Sequence, residues 1–213
     1  RESAAELRAI GARARQLDIR LSFHPAQFVI LNSPDADLVR KSVWDLTSQA
    51  EMLDLMELGP EAVLVIHVGG TYDDRHASAA RWATTWPTLP EPVRRRLVLE
   101  HDDLRFGPSD TLRIHERTGV RLVFDYQHFW CFNPDVAPVW TGHADFCNPF
   151  EFSTFMREVE GLDFDVMLEA KAKDLALVRL RPDLVRYAPD VALRFGLRDR
   201  DLAMLANEEA ALL

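Results

Sequence analysis

The sequence has few cysteines, no long apolar run and no excess of positive charge. Its two cysteines, Cys131 and Cys147, do not form a Cys-x-x-Cys pair, so neither a disulfide framework nor a cysteine-rich zinc site is indicated. No stretch approaches the ~18 uninterrupted apolar residues of a membrane span, and Arg1 to Leu7 lack the apolar core of a signal peptide. We therefore expect a cytoplasmic protein without a membrane partner.

The charge balance disfavours a protein coated in basic residues for nucleic acid, since the net charge is -9. A nuclease is still compatible with this charge, because carboxylates gathered in a metal site add to the negative count. With 213 residues and 47% hydrophobic content, the chain can bury a sizeable core.

Short apolar runs alternate with longer segments of helical spacing, which predicts parallel β/α units. The runs are nearly continuous in apolar residues, as in strands buried on both faces. Five strands are predicted, at Ile19 to His24, Ala62 to Val68, Leu97 to His101, Val120 to Tyr126 and Val166 to Ala170. Five is fewer than the eight of a TIM barrel, so we predict an incomplete α/β barrel over 1–180 and a helical tail over 181–213. An open five-stranded sheet is the alternative.

Each predicted strand ends in a side chain that can bind metal. The carboxyl ends of parallel strands share one rim, where active sites are built, so these groups should converge. A single such residue is more typical of a helix cap or a core histidine. The joint pattern favours a metal site, because desolvating each group without a partner costs several kcal/mol. The strand-end residues are His24, His67, Glu100, Asp125 and Glu169, and His128, His143 and Asp145 follow closely.

Imidazole and carboxylate ligands without thiolate suit Mn²⁺, Zn²⁺ or Fe²⁺, and they exceed what one ion can take. Two or three ions are therefore expected. Glu100, central in strand order, is the natural bridge in a two-metal site for phosphoester hydrolysis. His101 should point away from Glu100 by strand alternation and is a weaker ligand candidate. His76 and His115 are predicted to be solvated.

Six sequence motifs resemble those of the UV damage endonuclease family, in the family's order. His24-Pro-Ala-Gln-Phe28 followed by Asn32-Ser-Pro-Asp35 is similar to the family's His-Pro-Gly-Gln-Tyr and Ser-Pro-Asp signature. The further matches are His67-Val-Gly-Gly-Thr-Tyr72, Leu99-Glu-His-Asp102, Asp125-Tyr-Gln-His128, His143-Ala-Asp145 and Glu169-Ala-Lys171.

The resemblance implies a xylose isomerase-like TIM barrel related to AP endonucleases. It also implies a metal-dependent, manganese-type DNA-repair endonuclease that nicks damaged double-stranded DNA 5′ to UV photoproducts or other lesions. The sequence leaves the oligomeric state open, and a monomer is expected if the chain is intact. Carried over by position, Glu100, Glu169 and Lys171 would be catalytic, and Gln27, Phe28 and Tyr72 would contact the DNA or the lesion. The implied metal ligands are His24, His67, Glu100, Asp125, His128, His143 and Glu169.

Two segments of the family are not matched. These are its opening strands and a strand with a Lys-x-His motif, since Phe129 to Gly142 contains neither lysine nor histidine. We therefore expect a shortened form whose activity needs testing. The alternatives are a sugar isomerase-like or epimerase-like metalloenzyme on the same barrel, and a truncated inactive relative.

Overall fold

The computed structural model describes residues 3–125, 128 and 144–205. The chain divides into two compact units, a first unit over 1–139 and a second unit over 140–213. Among the described helices, none is both long enough and apolar enough to cross a membrane.

The first unit contains a parallel sheet whose strands follow one another in sequence order. The strands are β1 (Ser22–Phe23), β2 (Val63–His67), β3 (Leu97–Glu100) and β4 (Arg121–Val123), and each neighbouring pair is parallel. Its helices are α1 (Ala4–Gln16), α2 (Ala36–Leu55), α3 (Arg75–Thr85), α4 (Glu91–Arg94) and α5 (Pro108–Thr118), with a 3₁₀ turn at Trp86–Thr88. The predicted α/β class with parallel strands is confirmed, and the four described strands do not close a barrel.

Local sequence signals fix where the helices begin and end. The Asp35 carboxylate accepts the backbone N–H of Asp37 at 2.8 Å and caps α2, and Asp74 caps α3 in the same way. Gly119 ends α5 with a φ of 75°, a left-handed conformation that glycine adopts without a steric penalty.

The core of the first unit lies on both faces of the central strands. Leu64 and Ile66 of β2 and Leu99 of β3 share one face of the sheet and are at most 2% exposed, and Val65 and Val98 on the opposite face are 3% and 4% exposed, as expected for strands covered on both faces. Burying each such side chain contributes about 1.5 to 3 kcal/mol. This packing fixes the direction of the strand ends, where the candidate site lies.

All regular secondary structure in the described part of the second unit is helical. Its helices are α6 (Pro149–Glu158), α7 (Asp174–Tyr187) and α8 (Pro189–Arg194), followed by a 3₁₀ turn at Asp199–Asp201. Met156, Leu180 and Leu205 belong to its own hydrophobic core.

The predicted fifth strand, Val166 to Ala170, is wrong. Residues 162–170 have no regular secondary structure, and the side chain of Met167 is 58% exposed. A strand needs a partner for its backbone N–H and C=O groups, and the described part of the second unit contains no other strand. The domain boundary predicted after residue 180 falls inside α7, and the division into barrel and tail stays a prediction.

Candidate metal centre

Four predicted ligands lie at the carboxyl ends of the four strands. His24 follows β1, His67 and Glu100 are the last residues of β2 and β3, and Asp125 follows β4. His67 is the register partner of Glu100 across the β2–β3 pair. Because the strands are parallel, these ends share one edge of the sheet, as the sequence pattern predicted.

The first group of candidate ligands, called here the first subsite, consists of His24, His67 and Glu100. The Nε2 atoms of His24 and His67 lie 3.1 and 3.5 Å from Oε2 of Glu100. Two ligand atoms bound to one ion at ~2.1 Å are about 3.0 Å apart at a right angle and about 3.4 Å apart at the tetrahedral angle. The observed separations therefore fit shared coordination of one ion.

The two oxygens that face the ring nitrogens of His24 also fit a cation. Its Nδ1 lies 3.2 Å from the carbonyl oxygen of Pro25, and its Nε2 faces the Glu100 carboxylate. Both of these oxygens only accept hydrogen bonds, whereas a neutral imidazole carries a single N–H. With its one proton on Nδ1, a neutral His24 ring directs the lone pair of Nε2 at the Glu100 carboxylate, and a cation between the two would satisfy both groups.

The second subsite consists of Glu100, Asp125 and His128, which offer ligand atoms within 4.8 Å of one another. The backbone N–H of His128 donates to Oδ1 of Asp125 at 2.7 Å. The Nδ1 of His128 lies 3.1 Å from the carbonyl oxygen of His101, and since that oxygen only accepts, Nδ1 carries the proton. The lone pair of a neutral ring is then on Nε2, as in metal-binding histidines held by a backbone carbonyl.

Glu100 belongs to both subsites and is well shielded from solvent, with a side chain that is 5% exposed. Burial by itself raises the pKa of Glu100. The hydrogen bond with His24 and the charges of His67, His24 and His128 outweigh that effect, so the pKa lies below its ordinary value. Glu100 is therefore an ionised carboxylate, which is the form that bridges two metal ions.

His101 has a structural role that the sequence pattern did not reveal. Its side chain is buried, and its Nε2 accepts the backbone N–H of Asp125 at 3.1 Å. Burial lowers the pKa of His101 despite the opposing charge of Asp125. The only feature of the sequence that could have indicated this role is the position of His101 directly after the strand-end residue Glu100.

Comparison with known proteins assigns the family. The family model described as UV-endonuclease UvdE matches residues 1–145. The chain belongs to the UV-endonuclease family. The UV DNA damage endonucleases of Bacillus velezensis and Bacillus pumilus are 32% and 31% identical to it over 208 and 211 residues. These matches cover 82% and 84% of this chain but 65% and 66% of the relatives, so the chain spans slightly less than two thirds of their length.

A solved structure supports the same assignment. The crystal structure of SacUVDE superimposes with a TM-score of 0.75 and 30% identity, covering 86% of this chain and 71% of that chain. The resemblance noted from the sequence motifs is thereby confirmed. UV-endonuclease membership favours the nuclease interpretation over the sugar isomerase alternative.

The residues that the UV-endonuclease resemblance assigns to DNA lie on loops after β1 and β2. Gln27 is exposed and Phe28 is 72% exposed, in the loop that follows His24. Tyr72 follows β2, is 38% exposed and has the guanidinium of Arg81 5.5 Å from its ring centroid. Their exposure leaves them accessible to a ligand, and their roles stay predictions.

The three remaining predicted site residues belong to the second unit or lie outside the described residues. Glu169 and Lys171 are exposed residues of the second unit, where the Lys171 backbone N–H donates to the carbonyl oxygen of Ala144 at 2.9 Å. Their place in the metal centre stays a prediction. His143 lies outside the described residues.

Proposed function

We propose that the two subsites form the hydrolytic centre of a metal-dependent DNA-repair endonuclease that nicks the backbone 5′ to UV photoproducts or other lesions. One observation carries this proposal: the buried, ionised Glu100 is common to two ligand groups, each of which has two further donors. Bridged pairs of ions are a recurrent arrangement for phosphodiester hydrolysis. The relatives named UV DNA damage endonuclease supply the class of substrate.

His24, His67 and Glu100 would hold the first ion, and Glu100, Asp125 and His128 the second. His143 and Glu169 are proposed to complete this set or to hold a third ion. Nitrogen and oxygen donors without sulfur suit Mn²⁺, and also accept Zn²⁺ or Fe²⁺. When bound, these ions would supply Lewis acidity toward the scissile phosphodiester.

The protein side chains would position the substrate around this centre. Phe28 presents an exposed ring on the loop that follows His24, and such a ring can stack on bases that a lesion has unstacked. Gln27 would contact base edges, Tyr72 would lie against the duplex, and Lys171 would contact phosphate. The proposed partner is damaged double-stranded DNA, and the proposed state of the protein that binds it is a monomer.

The test is incision of an end-labelled duplex carrying one UV photoproduct, with Mn²⁺ or with EDTA. We expect a Mn²⁺-dependent nick directly 5′ to the lesion and none in the undamaged duplex. His67→Ala should abolish the nick, whereas His76→Ala, which alters an exposed histidine of α3, should not. Equal cutting of both duplexes, or cutting in EDTA, would contradict the proposal.

A further inference from the structure

We propose that His101 is a positioning residue for the second subsite and that binding of the second ion depends on its ring. This inference rests on the proposed metal centre and deepens it. His101 would act without contacting either ion, through the two ligands that the second subsite does not share with the first, Asp125 and His128.

The first contact is between the ring of His101 and the backbone of Asp125. The Asp125 N–H can only donate, and it points at Nε2 of His101 at 3.1 Å. Nε2 must therefore be the unprotonated nitrogen of a neutral ring. A lone pair used in this way is not available to a metal ion, which separates His101 from the ligands.

The second contact is between the backbone of His101 and the ring of His128. The carbonyl oxygen of His101 accepts Nδ1–H of His128 at 3.1 Å, which sets the tautomer and the orientation of that ring. Asp125 in turn accepts the backbone N–H of His128 at 2.7 Å. His101 thus fixes one ligand directly through its ring and the other both through its carbonyl and through Asp125.

The surroundings of His101 hold the ring in place. The residue is 1% exposed, and its ring centroid lies 5.1 Å from that of Phe124. Both hydrogen bonds of His101 are made with ligands of the second subsite. The two histidines of the first subsite, His24 and His67, contact Glu100 from the ends of β1 and β2. The inference therefore predicts an unequal effect on the two ions.

Removing the acceptor at His101 should weaken the binding of the second ion by about 10- to 100-fold, which is the range found when hydrogen-bond partners of metal ligands are removed. The affinity for the first ion should not change. The experiment is Mn²⁺ titration of the metal-free full chain by calorimetry, without DNA. His101→Leu fills the buried position with an apolar side chain and removes the hydrogen-bond acceptor. We expect two tight ions in the unaltered protein, and one tight and one weakened ion in His101→Leu.

A pair of amide variants keeps the inference testable where the leucine variant does not fold. His101→Gln can place its Oε1 near the position of Nε2 and should restore the second ion, whereas His101→Asn is one methylene shorter and should not. Circular dichroism establishes that each variant is folded. Unchanged binding in His101→Leu, or identical binding by the two amide variants, would overturn the inference.

The titration also separates this inference from the proposed function. If the unaltered chain binds two ions and His101→Leu loses one, the inference holds even where lesion-directed nicking fails. If the unaltered chain binds no Mn²⁺, both the proposed metal centre and the proposed role of His101 are refuted.

Discussion

Substituting Glu100 by glutamine removes the one side chain that both subsites share. The substitution keeps the volume of the side chain and removes its negative charge. Ligand atoms in each subsite lie within 4.8 Å of one another, so an ion between them lies at most about 4 Å from the carboxylate. At that distance the carboxylate and each unit of the ion's positive charge interact by about 4 kcal/mol at an effective dielectric constant of ~20, so about 4 kcal/mol is the smallest loss expected.

A loss of about 4 kcal/mol corresponds to roughly a 1,000-fold weaker affinity, and it applies to both ions. The assay is Mn²⁺ titration by calorimetry, paired with the nicking assay, and Glu116→Gln on the exposed part of α5 is the matched control. We expect Glu100→Gln to lose both ions and the nick, and Glu116→Gln to keep them. Loss of a single ion, or unchanged affinity, would refute Glu100 as the bridge.

Three further predictions concern stability and DNA binding. The Arg96 guanidinium is 2% exposed and donates to three backbone carbonyls and a carboxylate. Arg96→Met should therefore lower the free energy of unfolding by about 3 to 5 kcal/mol in urea denaturation. The control Arg95→Ala, which alters an exposed side chain, should lower it by less than about 1 kcal/mol. Similar losses in the two variants would contradict a stabilising role for the buried guanidinium. Phe28→Ala should weaken binding to a damaged duplex by about 1 to 3 kcal/mol, measured by fluorescence anisotropy. The control Trp44→Ala removes a ring that is 73% exposed and should leave the binding unchanged. Equal effects of the two substitutions would argue against stacking by Phe28. The Arg157 guanidinium hydrogen-bonds the Asp190 carboxylate and lowers its pKa from 3.8 to about 2. The stabilisation by this ion pair should therefore be complete above about pH 5 and be lost as the pH falls through about 2. Thermal melts of Asp190→Asn should differ from those of the unaltered protein at pH 7 and coincide below about pH 2, and a constant difference would exclude this ion pair as the cause.

The positions of His24, His67, Glu100 and Asp125 could be predicted because a single local rule governs them. An apolar run identifies a strand, parallel pairing aligns the strand ends, and a polar residue at each end must then lie near the others. The structure confirms that the sheet brings these residues together in two groups with His128. Which of them bind metal, and in what number, stays a prediction.

Two features could not be predicted from local patterns, because they depend on partners distant in the sequence. His101 gains its role from the backbone N–H of Asp125, a contact between two different strand ends. The apolar run at Val166 to Ala170 has the composition of a strand, yet the described part of its unit contains no strand to pair with. Composition reports which residues favour a strand, whereas the sheet also requires a neighbour.

The number of ions at Glu100 is the most direct test of the proposed centre. Crystals of the chain grown with Mn²⁺ would give anomalous difference peaks at each bound ion. We predict two peaks in contact with the Glu100 carboxylate, one also held by His24 and His67 and the other by Asp125 and His128. A single peak, or peaks only at sites away from Glu100, would contradict the bridged metal centre.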